Sequence, residues 1–155
     1  MGWFPLVGFT LGALLAGADY LLASWISNWV RSTLLVLILA AVTGAVHLDG
    51  LADTADALGA GGDQVRALTI LRDSRIGTFG AAAVFFVLAL KIAAIASATH
   101  SRPAALYLAP GLARWAMVAV SYNLNYLREG GAGSALLEPH SQRNLRLASI
   151  VTIIA

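Results

Sequence analysis

The stretch His47-Leu48-Asp49-Gly50-Leu51-Ala52-Asp53-Thr54-Ala55-Asp56 concentrates chemistry that most of the sequence avoids. Asp49, Asp53 and Asp56 are spaced i, i+4, i+7, which on an α-helix stacks three carboxylates on one face. Like charges at that spacing destabilise a helix, so the row calls for a compensating cation. Mg²⁺ is the natural candidate, a hard ion that takes one or two carboxylates plus waters and substrate phosphates. His47 flanks the row and could orient a water or act as a base. The plain alternative is a solvated helix face on which acidic residues merely end an apolar span. Two features weigh against it. Three of the chain's eight acidic residues fall within eight positions. The row is also followed by Gly59-Ala60-Gly61-Gly62-Asp63 and then by Arg72-Asp73-Ser74-Arg75-Ile76-Gly77. A metal, glycine-rich backbone and arginines are together the parts of a phosphate site. Taken singly, Arg72 and Arg75 read equally well as lipid-headgroup anchors, with Asp73 as their ion-pair partner. Gly59, Gly61 and Gly62 alone read as an ordinary loop.

The elements that carry these residues belong in a bilayer. Of the 155 residues 59% are hydrophobic and 12% charged, against roughly 45–50% and 25% in soluble domains. Backbone polar groups in lipid are satisfied only inside helices or closed barrels. The apolar runs here are continuous, without the alternation of barrel strands. The fold class expected is therefore all-α, a polytopic helical membrane protein forming a single membrane domain over 1–155. Four spans are expected at 3–26, 32–46, 78–98 and 103–126, with a fifth beginning near Leu145 and incomplete. The second is short, so its helix is expected to continue into the acidic stretch. Residues 59–63 are breakers and should be a loop. Residues 64–72 carry Val65, Leu68 and Leu71 on one side, the pattern of a short amphipathic helix at the membrane surface. Residues 128–143, with Gly130-Gly131-Ala132-Gly133 and Glu138-Pro139, read as a second loop.

Three ionisable residues fall inside the expected spans. Asp19 and Lys91 lie towards the outer ends of theirs, where snorkelling would suffice. Arg114 is nearer mid-span, beside Gly111 and Trp115, and is expected to face the site, since intramembrane charges usually face a bundle interior or cavity. The alternative is a partner for a helix carboxylate or a backbone carbonyl. Arg66, Arg72 and Arg75 follow the second span, and Arg128, Arg143 and Arg146 follow the fourth. The opposite side has Arg31 and Arg102. The positive-inside rule places the arginine-rich side, and the acidic row with it, in the cytoplasm, where nucleotides and Mg²⁺ are found. A net charge of +2 without a clustered basic face argues for no nucleic-acid partner. With no cysteine there is no thiolate site or disulfide framework to consider. The N-terminus lacks the positive n-region of a signal peptide and enters an apolar stretch at once. The C-terminus stops inside Ile150-Val151-Thr152-Ile153-Ile154-Ala155, short of the ~20 residues a span needs. The expectation is a fragment, or a protein completed by a second chain.

The run Thr43-Gly44-Ala45-Val46-His47-Leu48-Asp49-Gly50-Leu51-Ala52-Asp53-Thr54-Ala55-Asp56 resembles the signature of the cobalamin synthase (adenosylcobinamide-GDP ribazoletransferase) family. The similarity continues through Gly61-Gly62-Asp63, Arg66-Ala67-Leu68 and Arg72-Asp73-Ser74-Arg75-Ile76-Gly77-Thr78-Phe79-Gly80. It extends to Phe4-Pro5-Leu6-Val7-Gly8, Ala113-Arg114-Trp115-Ala116-Met117 and Gly130-Gly131-Ala132-Gly133. The resemblance implies an integral enzyme of the cell inner membrane. With Mg²⁺, a ribose hydroxyl of α-ribazole or its 5′-phosphate attacks the pyrophosphate of adenosylcobinamide-GDP, and GMP leaves. It implies Asp49, Asp53 and Asp56 as metal ligands, and Gly61, Gly62, Arg72, Asp73, Arg75 and Arg114 as substrate-binding residues. His47, Asp49 and Asp53 become the catalytic candidates, with the group that takes the hydroxyl proton left open among His47 and the aspartates. Assembly into an oligomer is also left open. Members of that family are longer at both ends. Their C-terminal part carries a further Gly/Thr/Asp-containing motif and more acidic residues, so a ligand supplied from there would leave this chain alone inactive.

Two other classes compete. Prenyltransferases and CDP-alcohol phosphotransferases also hold Mg²⁺ on a pyrophosphate with spaced aspartates. The former typically carry two separate Asp-rich motifs, where one is seen here. The latter have an Ala-Arg pair after the second aspartate, which Asp53-Thr54-Ala55 does not reproduce. A transport subunit with an acidic cation vestibule would bind metal without nucleotide.

Overall fold

The computed structural model describes residues 1–73, 75–123 and 141–155, and every regular element among them is an α-helix. In order they are α1 (Phe4–Leu22), α2 (Asn28–Val42), α3 (Val46–Gly59), α4 (Gln64–Ile70), α5 (Thr78–Ser97), α6 (Arg102–Asn123) and α7 (Gln142–Ile154). The all-α membrane class expected from composition is what the chain adopts. The helices α1, α5 and α6 are each long and apolar enough to cross a bilayer, and α2 with α3 forms a bent pair that would make a fourth crossing. The glycine-rich segment 130–133 and most of the second expected loop lie outside the described residues. The chain divides into two compact units, Met1–Leu21 with His100–Ala155, and Leu22–Thr99.

In the first unit α1 lies against α6 through small residues. A Cβ at Gly8 would collide with the Pro110 carbonyl, one at Gly12 with the Tyr107 carbonyl, and one at Gly111 with the Phe9 ring. Glycines four apart on α1 thus let two backbones touch, the usual basis of close packing where no water drives association. Phe9, 3% exposed, fills the contact and its ring sits 5.3 Å from that of Tyr107. The Asp19 carboxylate accepts from Arg102 Nε at 3.0 Å and from Nη2 at 2.6 Å. The expectation that Asp19 snorkels is corrected. The carboxylate is buried with Arg102 between the helices, because a charge off water is retained only when paired and hydrogen-bonded. Lys91, by contrast, is exposed. The helix α7 starts three residues before Leu145 and docks on α6, with Ala148 fully buried and Trp115 Nε1 donating to Ser149 Oγ at 3.1 Å.

The second unit holds the acidic residues. The 15 residues of α2 reach only ~22 Å at 1.5 Å per residue, short of the ~30 Å hydrocarbon core. The sequence predicts that this helix runs on through the acidic stretch. Instead it ends, and α3 leaves at 89°. The Ala45 N–H donates to the Ala40 carbonyl at 2.8 Å and the Gly44 N–H to the Ala41 carbonyl at 3.0 Å. That pair of bonds, with Gly44 at φ 61°, is the Schellman ending of a helix. Ala45 follows at φ 56° and opens α3. Both α2 and α3 pack on α5. The buried Leu35, Val36 and Ser32 line the inner side of α2, and Asn28 Nδ2 donates to the Ala96 carbonyl at 2.6 Å.

Candidate active site

The helix α3 exists because Ala45 and the Schellman turn start it afresh, and because Asp49 stands in its first turn, where a negative charge is favoured by the helix dipole. Asp49 is exposed, Asp53 half-buried, and Ala52 between them is 6% exposed against α5. The i, i+4, i+7 row is therefore on one helix, as the spacing requires. Among the described residues, however, no three His, Asp or Glu side chains converge closely enough to hold a metal ion. His47 lies two residues before Asp49 in the same helix, about 160° around it from Asp49 and about 120° from Asp53.

Asp56 is engaged elsewhere. Its Oδ2 accepts from the Gly77 N–H at 2.7 Å and its Oδ1 from the Gly80 N–H at 2.8 Å. These amides open α5, whose N-cap Gly77 has no side chain to satisfy them. In the sequence Gly77 and Gly80 stand out only as members of the Arg72-to-Gly80 segment, with no sign of what their amides bind. The signal available was a glycine at the start of a long apolar helix, whose orphan N–H groups must find an acceptor outside their own segment.

An open cleft of ≈ 500 Å³ lies beside this contact, lined in part by Asp56, Asp73, Arg75, Gly77, Thr78 and Phe79. Asp73 accepts from Arg75 Nε at 3.0 and 3.1 Å, from Nη2 at 2.6 Å and from the Arg75 backbone N–H at 3.1 Å. The side-chain hydrogen bond from Arg75, seconded by the backbone one, holds the Asp73 carboxyl down to about 2 from its ordinary 3.8. Three of the expected site residues, Asp56, Asp73 and Arg75, thus meet at one cleft, while Asp49, Asp53, Gly61, Gly62 and Arg72 are not among its walls. Gly61 and Gly62 take φ of 61° and 113°, values open to glycine at no steric cost. They turn the chain into α4, which Asp63 caps by accepting from the Arg66 N–H at 3.0 Å. Of the expected apolar face of α4, Leu68 and Leu71 are half-buried and Val65 is exposed. Arg72 is exposed just beyond it. Arg114 belongs to the other unit, buried in α6, where its Nη1 donates to the Pro110 carbonyl at 3.4 Å.

The sequence profile of the cobalamin-5-phosphate synthase family matches residues 1–155. The chain belongs to that family. A curated relative from Geotalea daltonii is 41% identical over 154 residues, 99% of this chain and 62% of its own length. One from Stutzerimonas stutzeri is 42% identical over 152 residues, covering 96% of this chain and 62% of the relative. One from Syntrophobacter fumaroxidans is 38% identical over 155 residues, with 99% and 62% covered. All three are named adenosylcobinamide-GDP ribazoletransferase. The chain spans about 62% of the length of these relatives. No solved structure matches it. Membership of the cobalamin-5-phosphate synthase family bears out the resemblance carried by the acidic stretch and the Arg72-to-Gly80 segment.

Proposed function

We propose that the chain carries the metal- and pyrophosphate-binding part of an adenosylcobinamide-GDP ribazoletransferase. The observation that carries this reading is the match of the family over all 155 residues, with the acidic helix and the Asp73–Arg75 cleft in one compact unit. In the proposed reaction a ribose hydroxyl of α-ribazole, or of its 5′-phosphate, attacks the cobinamide-side phosphorus of adenosylcobinamide-GDP. The new P–O bond replaces the one to GMP, which departs with the bridging oxygen.

Mg²⁺ is the proposed cofactor, and the donor set fits it. Asp49 and Asp53 stand one turn apart on α3, and Mg²⁺ binds through one or two carboxylates with water and substrate phosphates completing its octahedron. Bound there, the ion would neutralise charge on the pyrophosphate and on the leaving GMP. Arg75, held in orientation by Asp73, keeps its Nη1 hydrogens for phosphate oxygens, the planar recognition at which guanidinium excels. Arg72 and the Gly61-Gly62 turn complete the proposed substrate side. The hydroxyl proton is assigned to the carboxylate row and not to His47, which is placed about 160° around α3 from Asp49 and about 120° from Asp53. Arg66, Arg72 and Arg75 on this side of the spans, against Arg31 and Arg102 on the other, support a cytoplasmic site in the cell inner membrane.

The test is GMP release by membranes carrying the protein. It is expected only when adenosylcobinamide-GDP, α-ribazole or its 5′-phosphate, and Mg²⁺ are all supplied. Asp49→Asn and Asp53→Asn should each lower the rate roughly 10²-fold or more, since metal charge stabilisation is worth several kcal/mol. An unchanged rate in both variants would remove the metal assignment.

A further inference from the structure

Asp56 belongs to the acidic row by spacing but is bonded away from it. Each of its oxygens accepts one backbone N–H from the first turn of α5, 21 and 24 residues further along the chain. The socket that receives it has room for glycine alone. A Cβ at Gly77 would collide with the Asp56 carboxylate, and a Cβ at Gly80 with that carboxylate and the Ala52 carbonyl. One turn further along α3, the Phe79 ring lies where a Cβ at Gly59 would go. Ala52, Asp56 and Gly59 thus form the stripe of α3 that meets α5, with Asp49 and Asp53 at its edge, as the 3.6-residue period dictates. The Asp56 charge faces the positive end of the α5 dipole, which offsets the repulsion of three stacked carboxylates.

We propose that Asp56 is the positioning residue of the acidic site: it docks α3 on the first turn of α5, fixes where Asp49 and Asp53 stand, and is not a metal ligand. The proposal rests on the metal reading above and assigns the row's members different work. A ligand needs the charge of Asp56, whereas a cap needs an acceptor oxygen. Asn keeps one acceptor and loses the charge, and Ala loses both.

The test uses the whole chain in detergent micelles, ¹⁵N-labelled at glycine, with Mn²⁺ as the probe for Mg²⁺. The Gly77 and Gly80 amides are expected to exchange slowly with water and to become fast in Asp56→Ala. Mn²⁺ affinity should fall about tenfold in Asp56→Ala, the low end for outer partners of a metal site. Asp56→Asn should restore most of that loss, whereas Asp49→Asn should bind as weakly as Asp49→Ala. Fast exchange at both amides in the unsubstituted chain would overturn the docking. So would Mn²⁺ affinity unchanged in Asp56→Ala, and affinity as low in Asp56→Asn as in Asp56→Ala would make Asp56 a ligand. Failure of the unsubstituted chain to bind Mn²⁺ would sink the metal reading instead, and the amide exchange would still decide whether Asp56 docks the helix.

Discussion

Two ion pairs with the same chemistry do different work because of where they sit. Asp73 and Arg75 hold each other in the open, with the Arg75 side chain 87% exposed, so their pairing adds little to stability and serves to aim a guanidinium. The Asp73 carboxyl is depressed to about 2 from 3.8. A depressed carboxyl pairs fully above its ordinary value and lets go only as the pH falls through the lowered one. Asp73 is therefore expected to stay ionised and Arg75 to stay aimed throughout the neutral range. A carboxyl ¹³C titration should place its midpoint near 2; a midpoint near 4 would show that the pair does not form in solution. Asp19 and Arg102, with side chains 11% and 6% exposed, are instead a staple. Removing either partner would leave a buried charge without its counterion, the costly way to break such a pair.

Among the elements, the junction of α2 and α3 decides the site. A continuous helix would carry Asp49, Asp53 and Asp56 along the axis of α2. The Schellman ending at Gly44 and the left-handed Ala45 swing them through 89° and lay them against the start of α5. Ala45 is the strained point, since an L-residue in the left-handed region costs roughly 1–2 kcal/mol. Ala45→Gly should relieve it and stabilise the protein by about 0.5–1 kcal/mol after the entropic cost of glycine. Gly44→Ala should destabilise it by about 1 kcal/mol. Thermal unfolding in detergent checks both, and a lower midpoint for Ala45→Gly would mean that the turn is not formed as described.

For the molecule as a whole, the arginine distribution predicts a membrane orientation that the absence of cysteine makes easy to read. Single cysteines introduced as Gly62→Cys and Ser101→Cys should label from opposite faces, the first from the cytoplasm and the second from outside. They flank α5, a helix of 20 residues that rises ~30 Å, the thickness of the hydrocarbon core. Labelling of both from one face would mean that α5 does not cross.

Composition and periodicity were enough for the all-helical membrane class, the positions of α1, α5 and α6, and the carboxylate row on one helical face. These are local properties: apolar runs choose helices in lipid, and a spacing of i, i+4, i+7 means one face wherever the helix points. Gly44 also left a legible trace, a glycine where a helix can stop, although the short second span invited the opposite reading. The pairing of Asp19 with Arg102 and the seating of Asp56 on Gly77 and Gly80 join residues 83, 21 and 24 positions apart. No spacing rule reaches that far. Only packing brings a carboxylate to a particular helix end or buried guanidinium, and packing alone separates Asp56 from the two aspartates beside it.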